Sequence, residues 1–313
     1  MNRIKYMFVV ILLTFFMLVG CTFNEDKITI STSIYPVYDI TKAIVKDKIP
    51  VYMTVPAGID THSYDPSVDN IVRVKKATLF IYVSDELESW ATDLKTADSE
   101  HFVLNLTSNT TIELMEHEEE DEANEHEHDH DHDHHHHHEY DPHIWTSPKN
   151  VIIMAEKIYE SVVKIDPENT EFYLNNKNNY INELNKIIND YNTFSESANN
   201  TTFYFGSPFS LGYLFRDFNL KYYAIFDTCE TEIEPSIDKI IALKKTIIEN
   251  NIKYLYIKEL SSTKISESIV NGTNCELALI HTGHNLSSTD FKKGLTLLEI
   301  FKTNLDTLKK GVE

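Results

Sequence analysis

Positive charge is scarce in this sequence of 313 residues. Lys and Arg number 28 against 49 Asp and Glu, which gives a formal net charge of −21 at pH 7. This balance argues against nucleic acid or an anionic membrane surface as a partner, because both repel an acidic protein. A cationic ligand is the better expectation.

The sequence has no apolar run long enough to span a bilayer comfortably. Its apolar run from Met7 to Val19 follows a basic start and ends in Leu18-Val19-Gly20-Cys21, so residues 1–20 have the order typical of a signal peptide. The Leu-x-Gly-Cys ending resembles a bacterial lipoprotein box, which implies cleavage before Cys21 and lipid on its thiol. A plain signal peptide and an uncleaved anchor are the alternatives. All three place the folded part outside the cytoplasm.

Cysteine occurs only three times. With Cys21 assigned to lipid, Cys229 and Cys275 remain, in a compartment where disulfides persist. Three alternatives stay open for them: a disulfide, two buried thiols that behave as small hydrophobic residues, or one thiol as a metal ligand.

Both halves of the chain alternate strand-like and helix-like patterns. The length indicates about two domains, and 42% hydrophobic residues suffice for a real core. The first half opens with a β-α-β pattern from Lys27 to Val55, and the continuous apolar run from Thr78 to Val83 is typical of a strand in a parallel sheet. We predict an α/β fold of two similar lobes, each a mainly parallel sheet flanked by helices.

One long helix is predicted between the lobes 21–165 and 198–313, over residues 166–197. Asp166 is the expected N-cap, and Pro167 the first helical residue. Apolar residues recur at spacings of seven, four, three and four, as one helical face requires. They are Tyr173, Tyr180, Leu184, Ile187 and Tyr191. At 1.5 Å per residue this helix would extend roughly 40 Å, enough to bridge two lobes.

Residues 116–139 concentrate both negative charge and histidine. The stretch from Glu116 to Asp141 contains thirteen carboxylates, ten His and no Lys or Arg. Such a composition cannot form a packed core, so we expect a disordered loop on the first lobe. The loop either binds several metal ions weakly and raises their concentration near a tighter site elsewhere in the protein, or is dispensable when the metal is plentiful. The candidate auxiliary ligands are His126, His128, His130, His132, His134, His135, His136, His137 and His138.

Three stretches that follow predicted strands contain residues able to bind a metal ion. In open α/β sheets, bound molecules and ions lie at the carboxyl ends of the strands. The three stretches are Thr61-His62-Ser63-Tyr64-Asp65-Pro66, then Asp141-Pro142-His143-Ile144-Trp145-Thr146-Ser147-Pro148, and His281-Thr282-Gly283-His284. The first two motifs, with the His-rich loop between them, the lipoprotein box and the linking helix, resemble the zinc branch of the metal-binding lipoproteins of ABC transporters. The similarity extends over essentially the whole mature chain.

The resemblance implies that two lobes joined by a rigid helix hold one zinc or manganese ion, with His62 and His143 as the first two ligands. In that family a third ligand is usually a His four residues before a Gly-Tyr pair. Here Pro208 stands four residues before Gly212-Tyr213, and proline has no lone pair to offer.

We therefore expect His284 and His281 of the second lobe to complete the site, with His284 ahead because the flexible Gly283 precedes it. Cys229, Glu230 and Glu232 are reserve candidates. Tyr64 and Trp145 are expected to pack around the ligands rather than to bind the ion.

Imidazole ligands favour zinc over manganese, which prefers oxygen. The expected activity is capture of Zn²⁺ by a monomer, lipid-anchored on the outside of a Gram-positive cell, and delivery to a membrane permease with a cytoplasmic ATPase. A manganese-binding homologue and an adhesive or metal-buffering surface lipoprotein are the alternatives. A zinc hydrolase is disfavoured, because the sequence contains no His-Glu-x-x-His motif.

Overall fold

Two parallel sheets form the framework in the computed structural model, which describes residues 28–94, 102–116, 140–226 and 234–312. The first contains β1 (Ile30–Thr32), β2 (Val51–Met53), β3 (Leu79–Tyr82) and β4 (Phe102–Asn105), in the order β2-β1-β3-β4. The second contains β5 (Thr202–Phe205), β6 (Lys221–Ala224), β7 (Tyr254–Lys258) and β8 (Glu276–Ile280), in the order β6-β5-β7-β8. The predicted α/β fold with a parallel sheet in each lobe is confirmed.

Helices cover both sheets. In chain order they are α1 (Tyr35–Val45), α2 (Val68–Lys76), α3 (Pro148–Ile165), α4 (Thr170–Ala198), α5 (Gly212–Asp217), α6 (Ile237–Glu249), α7 (Lys264–Val270), α8 (Ser288–Lys293) and α9 (Leu297–Lys310). The first strand is short, because α1 already begins at Tyr35 with Pro36 in its first turn. Proline suits that position, where its missing N–H has no helical partner to lose.

The long helix α4 runs between the lobes. Its 29 residues correspond to a length of about 43 Å. All five residues of its predicted apolar face are buried. Asn176 donates to the carbonyl oxygen of Ile44 in α1 (2.9 Å), and the Tyr191 hydroxyl donates to that of Phe301 in α9 (2.9 Å), so α4 is fixed to both lobes.

The start of α4 differs from the prediction. Residues Pro167–Asn169 form a 3₁₀ turn, and the α-helix begins only at Thr170. Asp166 makes no side-chain capping bond to the backbone. Its carboxylate instead accepts hydrogen bonds from the side chains of Asn169 and Tyr173, and these satisfy it without a cap.

One cluster of buried apolar side chains continues from the first lobe into the second. It includes Ile30 and Leu79 of the first sheet, Leu184 of α4, and Phe203 and Phe205 of the second sheet. A shared core of this kind resists a wide opening of the two lobes, since separating them would expose apolar surface to water. Within the described ranges, no helix is both long and apolar enough to cross a membrane.

Candidate metal centre

His62 lies in the turn that follows β2 in the first lobe. Gly58 in this turn has a φ of +91°, a backbone conformation that side-chain-bearing residues rarely adopt. The Asp60 carboxylate accepts a hydrogen bond from the backbone N of His62 (2.9 Å) and so shapes the turn. The His62 ring is half-buried.

His143 lies just before the 3₁₀ turn Ile144–Thr146 and is 1% exposed. One oxygen of Asp141 contacts both the backbone N of His143 (2.9 Å) and its Nδ1 atom (2.5 Å). Directly afterwards, the Ser147 hydroxyl caps α3 and Pro148 starts it, so the segment that carries His143 is anchored by the helix.

His284 lies in the loop after β8 of the second lobe and is 8% exposed. Its Nδ1 atom is 2.7 Å from the hydroxyl of Thr282, which in turn donates to Glu259 (2.8 Å). The same carboxylate accepts from the backbone N atoms of Thr282 and Gly283 (2.8 and 2.9 Å), so it holds the whole turn. Gly283 permits this turn because its φ is +71°.

The three imidazoles converge from these three loops on one point between the lobes. The Nε2 atom of His62 is 3.2 Å from that of His284 and 3.3 Å from that of His143, and the three donor atoms all lie within 4.8 Å of one another. In a tetrahedral complex with zinc–nitrogen bonds of about 2.0–2.1 Å, neighbouring nitrogens are roughly 3.3–3.4 Å apart. The two shorter separations therefore match two edges of a zinc tetrahedron.

Hydrogen bonds at the far side of the rings determine which nitrogens face this point. In neutral His143 and His284 the proton belongs on Nδ1, because Asp141 and Thr282 accept it there. Their Nε2 atoms then present lone pairs toward His62. A single neutral His62 has one Nε2 proton at most and cannot donate it to both, whereas a cation placed among the three rings could be bound by all of them.

Electrostatics keeps His284 neutral. Burial lowers the pKa of His284 well below its usual 6.5 and is the largest cause. The neighbouring His143 and His62 rings and Lys258 lower it further. A neutral imidazole is the form that binds metal, so this ligand needs to lose no proton at neutral pH.

A small cavity adjoins the imidazoles. It measures about 20 Å³ and is lined by His62 and His284 together with Asp60, Lys258 and Glu259, among others. A space of this size holds about one water molecule. An ion bound by the three imidazoles would thus have room for one further small ligand.

His281 is not part of the group. The side chain of Asn304 in α9 binds both its backbone N (2.8 Å) and its carbonyl oxygen (2.6 Å). Its Nδ1 atom is buried without a hydrogen-bond partner among the described residues. Of the two second-lobe histidines expected at the site, the structure brings only His284 to His62 and His143.

Trp145 packs against the imidazoles, and Tyr64 packs within the first lobe. The Tyr64 hydroxyl donates to the carbonyl oxygen of Thr54 (3.1 Å) within the first lobe. The Trp145 ring lies against both buried imidazoles, with centroid distances of 5.3 Å to His143 and 5.0 Å to His284, and its Nε1 donates to the carbonyl oxygen of Thr282 (3.0 Å). Trp145 therefore ties two of the ligand loops together.

Several candidates lie outside the described residues. These are Cys21, Cys229, Glu230, Glu232 and every histidine of the loop, so the predictions for them stay predictions. Cys275 is buried and forms no disulfide with another described residue, and burial raises the pKa of its thiol to about 11. Pro208 is buried and adds no donor to the cluster.

The sequence reasoning missed the residues that orient the rings. A local signal was available, because a polar residue stands two positions before each of the three histidines: Asp60, Asp141 and Thr282. Glu259 had no such signal, since it lies 23 residues before Thr282 and reaches it only through the adjacency of β7 and β8.

A two-lobed α/β framework with three imidazoles converging between its lobes is typical of metal-binding proteins of the substrate-binding class. The chain matches the family described as zinc-uptake complex component A, periplasmic, over residues 30–311. It belongs to that family. Membership confirms that the chain is a binding protein for transport and not an enzyme.

Individual relatives agree with this assignment. The chain is 31% identical to the high-affinity zinc uptake system protein ZnuA of Bacillus subtilis (strain 168), over 92% of this chain and 88% of that protein. It is 29% identical to the zinc-binding protein AdcA of Streptococcus pyogenes, but spans only 56% of that relative's length. The crystal structure of the metal-dependent lipoprotein YcdH from Bacillus subtilis matches with a TM-score of 0.75 at 29% identity, covering 91% of this chain and 99% of that one.

Proposed function

We propose that this protein captures Zn²⁺ outside the cytoplasm with His62, His143 and His284 and delivers it to the permease of an ABC importer. One observation carries the proposal: the Nε2 atom of His62 lies at the nitrogen–nitrogen spacing of a tetrahedral zinc complex from the Nε2 atoms of both His143 and His284, and these residues come from both lobes. The family and the zinc-binding relatives support the same ion.

Zinc is favoured over manganese by the chemistry of the donors. All three donor atoms of the cluster are imidazole nitrogens, whereas Mn²⁺ prefers carboxylate and water oxygens. Asp141 and Glu259 are occupied in orienting His143 and Thr282, so they act on the ion through the imidazoles.

Release to a permease needs a route to the ion. His62 is the half-exposed member of the cluster, and the small cavity beside it leaves a coordination position for an exchangeable ligand. A ligand supplied by the permease would enter there, while His143 and His284 stay buried. Capture and release then require small local rearrangements rather than a wide opening of the shared core.

The remaining features of the proposal rest on the sequence. Lipid on Cys21 would hold the protein, as a monomer, at the outer face of the cell membrane. The loop 116–139 would bind further zinc ions weakly and supply them to the cleft.

Zinc titration of the purified chain, with and without residues 117–139, tests the cleft site. We expect one tight site in both versions, and its loss when His62, His143 or His284 is replaced by Ala. The matched control is His281→Ala, which should retain full affinity because His281 is not part of the group. A chain without the loop that shows no tight site would contradict the proposal, as would full affinity in any of the first three variants.

Delivery is tested separately, by growth of the producing bacterium in zinc-limited medium. Replacement of the native gene by the His143→Ala version should impair growth, and added zinc should restore it. Normal growth of this strain would contradict a role in uptake.

A further inference from the structure

Asn285 connects the two lobes immediately beside the cation site. It follows His284 in the second lobe and is 1% exposed. Its Nδ2 atom donates to the carbonyl oxygens of Pro56 (2.7 Å) and Ile59 (2.9 Å) in the first lobe, and its Oδ1 atom accepts from the backbone N of Leu286 (2.8 Å). Both amide protons are used, so this side chain is fully committed to one geometry.

The two carbonyl groups belong to the turn that carries His62. Ile59 precedes His62 by three residues, and Asp60, which shapes the turn, lies between them. Asn285 also lines the small cavity shared by His62 and His284. The Asn285 amide therefore connects the backbone just before His62 to the residue just after His284.

We propose that Asn285 is a positioning residue, which holds His62 of the first lobe against His284 of the second before the ion arrives. This inference rests on the proposed function of the three histidines. The 3.2 Å separation of the His62 and His284 Nε2 atoms is then set by the protein. A site whose ligands are already in place binds more tightly, because binding then loses less conformational entropy.

The substitution Asn285→Asp distinguishes a positioning role from an electrostatic role. The first predicts weaker zinc binding in this variant, and the second predicts stronger binding. The carboxylate keeps the shape of the amide but has no proton to donate, and it faces the oxygens of Pro56 and Ile59. Its negative charge would strengthen cation binding if charge alone mattered. Loss of a group that orients a ligand typically weakens metal binding by about 10- to 100-fold, and this is the effect we expect.

The experiment compares zinc affinity of the full chain in competition with a chromophoric chelator, for the wild-type protein, Asn285→Asp and Asn285→Ala. The matched control is Ser288→Ala. Ser288 also bonds across to the same turn, at the carbonyl oxygen of Ala57 (3.1 Å), but from an exposed position. Its loss should change the affinity less than about 3-fold, as surface substitutions usually do. Thermal unfolding of the metal-free variants verifies that each is folded.

The route of the effect is tested with bound Co²⁺, whose absorption depends on the number of ligands that complete a tetrahedral complex. The absorption should weaken in Asn285→Asp, as expected when His62 leaves the complex, and should stay at the wild-type level in Ser288→Ala.

Each outcome has a distinct meaning. A wild-type chain without a tight zinc site would refute the proposed function itself. A wild-type chain that binds tightly, beside an Asn285→Asp variant that binds as well or better, would refute the positioning role alone. Undiminished Co²⁺ absorption in an Asn285→Asp variant that binds zinc weakly would also refute it, because the residue would then act without displacing a ligand.

Discussion

Asp141 and His143 are joined through a single carboxylate oxygen, which lies 2.5 Å from the Nδ1 atom and 2.9 Å from the backbone N of the histidine. The same group therefore fixes both the position of the backbone and the rotation of the ring. It also assigns the proton to Nδ1, and a negative charge there makes Nε2 a better donor to a cation.

Asp141→Asn should weaken zinc binding by about 10- to 100-fold, the usual effect of removing a carboxylate that orients a histidine ligand. The amide keeps the size of the side chain but removes its charge. The measurement is a zinc titration in competition with a chelator. Asp306→Asn is a suitable control, because Asp306 is an exposed residue of α9, and unchanged binding in Asp141→Asn would disprove the role of the carboxylate.

Thr282→Val should weaken zinc binding and also destabilise the metal-free protein. Valine has the shape of threonine but leaves the Nδ1 proton of His284 and the carboxylate of Glu259 without their shared hydroxyl. An unsatisfied buried group costs about 1–3 kcal/mol. Urea unfolding and zinc titration measure the two effects, with Thr246→Val on the exposed side of α6 as control. Wild-type values in both measurements would count against this chain of bonds.

His284 should make the metal-free protein less stable in mild acid. Its pKa is well below 6.5 in the folded protein, so only the unfolded chain takes up this proton when the pH falls below that value. The free energy of unfolding should therefore decrease from pH 7 to pH 5, and less so in His284→Gln. Urea unfolding measures this free energy at each pH. The same pH dependence in wild type and His284→Gln would contradict a lowered pKa of His284.

Glu88 should act in the opposite direction. Burial raises its pKa from 4.5 to about 7, in spite of hydrogen bonds from Ser33, Ser84 and Val83 that lower it. Between these values the folded chain holds a proton that the unfolded chain has lost, so stability falls as the pH rises from 4.5 through 7. Glu88→Gln should reduce this loss. The measurement is urea unfolding at pH 5, 6, 7 and 8, with Glu249→Gln on the exposed face of α6 as the control. A free energy of unfolding that changes with pH in Glu88→Gln as it does in wild type would contradict the raised pKa.

Much of the fold could be predicted because its signals are local. The buried face of α4 was visible in the spacing of Tyr173, Tyr180 and Leu184, since helical periodicity alone decides which residues share a face. The 3₁₀ turn before α4 could not be predicted from the sequence, because it depends on the Asp166 carboxylate accepting hydrogen bonds from Asn169 and Tyr173 rather than from the backbone.

The candidate site divides along the same line. His62 and His143 could be selected from short motifs that follow predicted strands. The sequence could place His284 ahead of His281 only because of Gly283, and it could not exclude His281. The two lie three residues apart in one loop, and the position of His281 depends on Asn304 of α9, which binds its backbone.

Periodicity and side-chain chemistry are enough to predict the two α/β lobes, the linking helix and the residue types suited to zinc. The meeting of His62, His143 and His284, and their support by Glu259 and Asn285, follow only from the packing of the two lobes. The carbonyl groups bound by Asn285 lie 226 and 229 residues away in the chain. Such contacts exist only after both sheets have formed and packed on one core, so no local pattern encodes them.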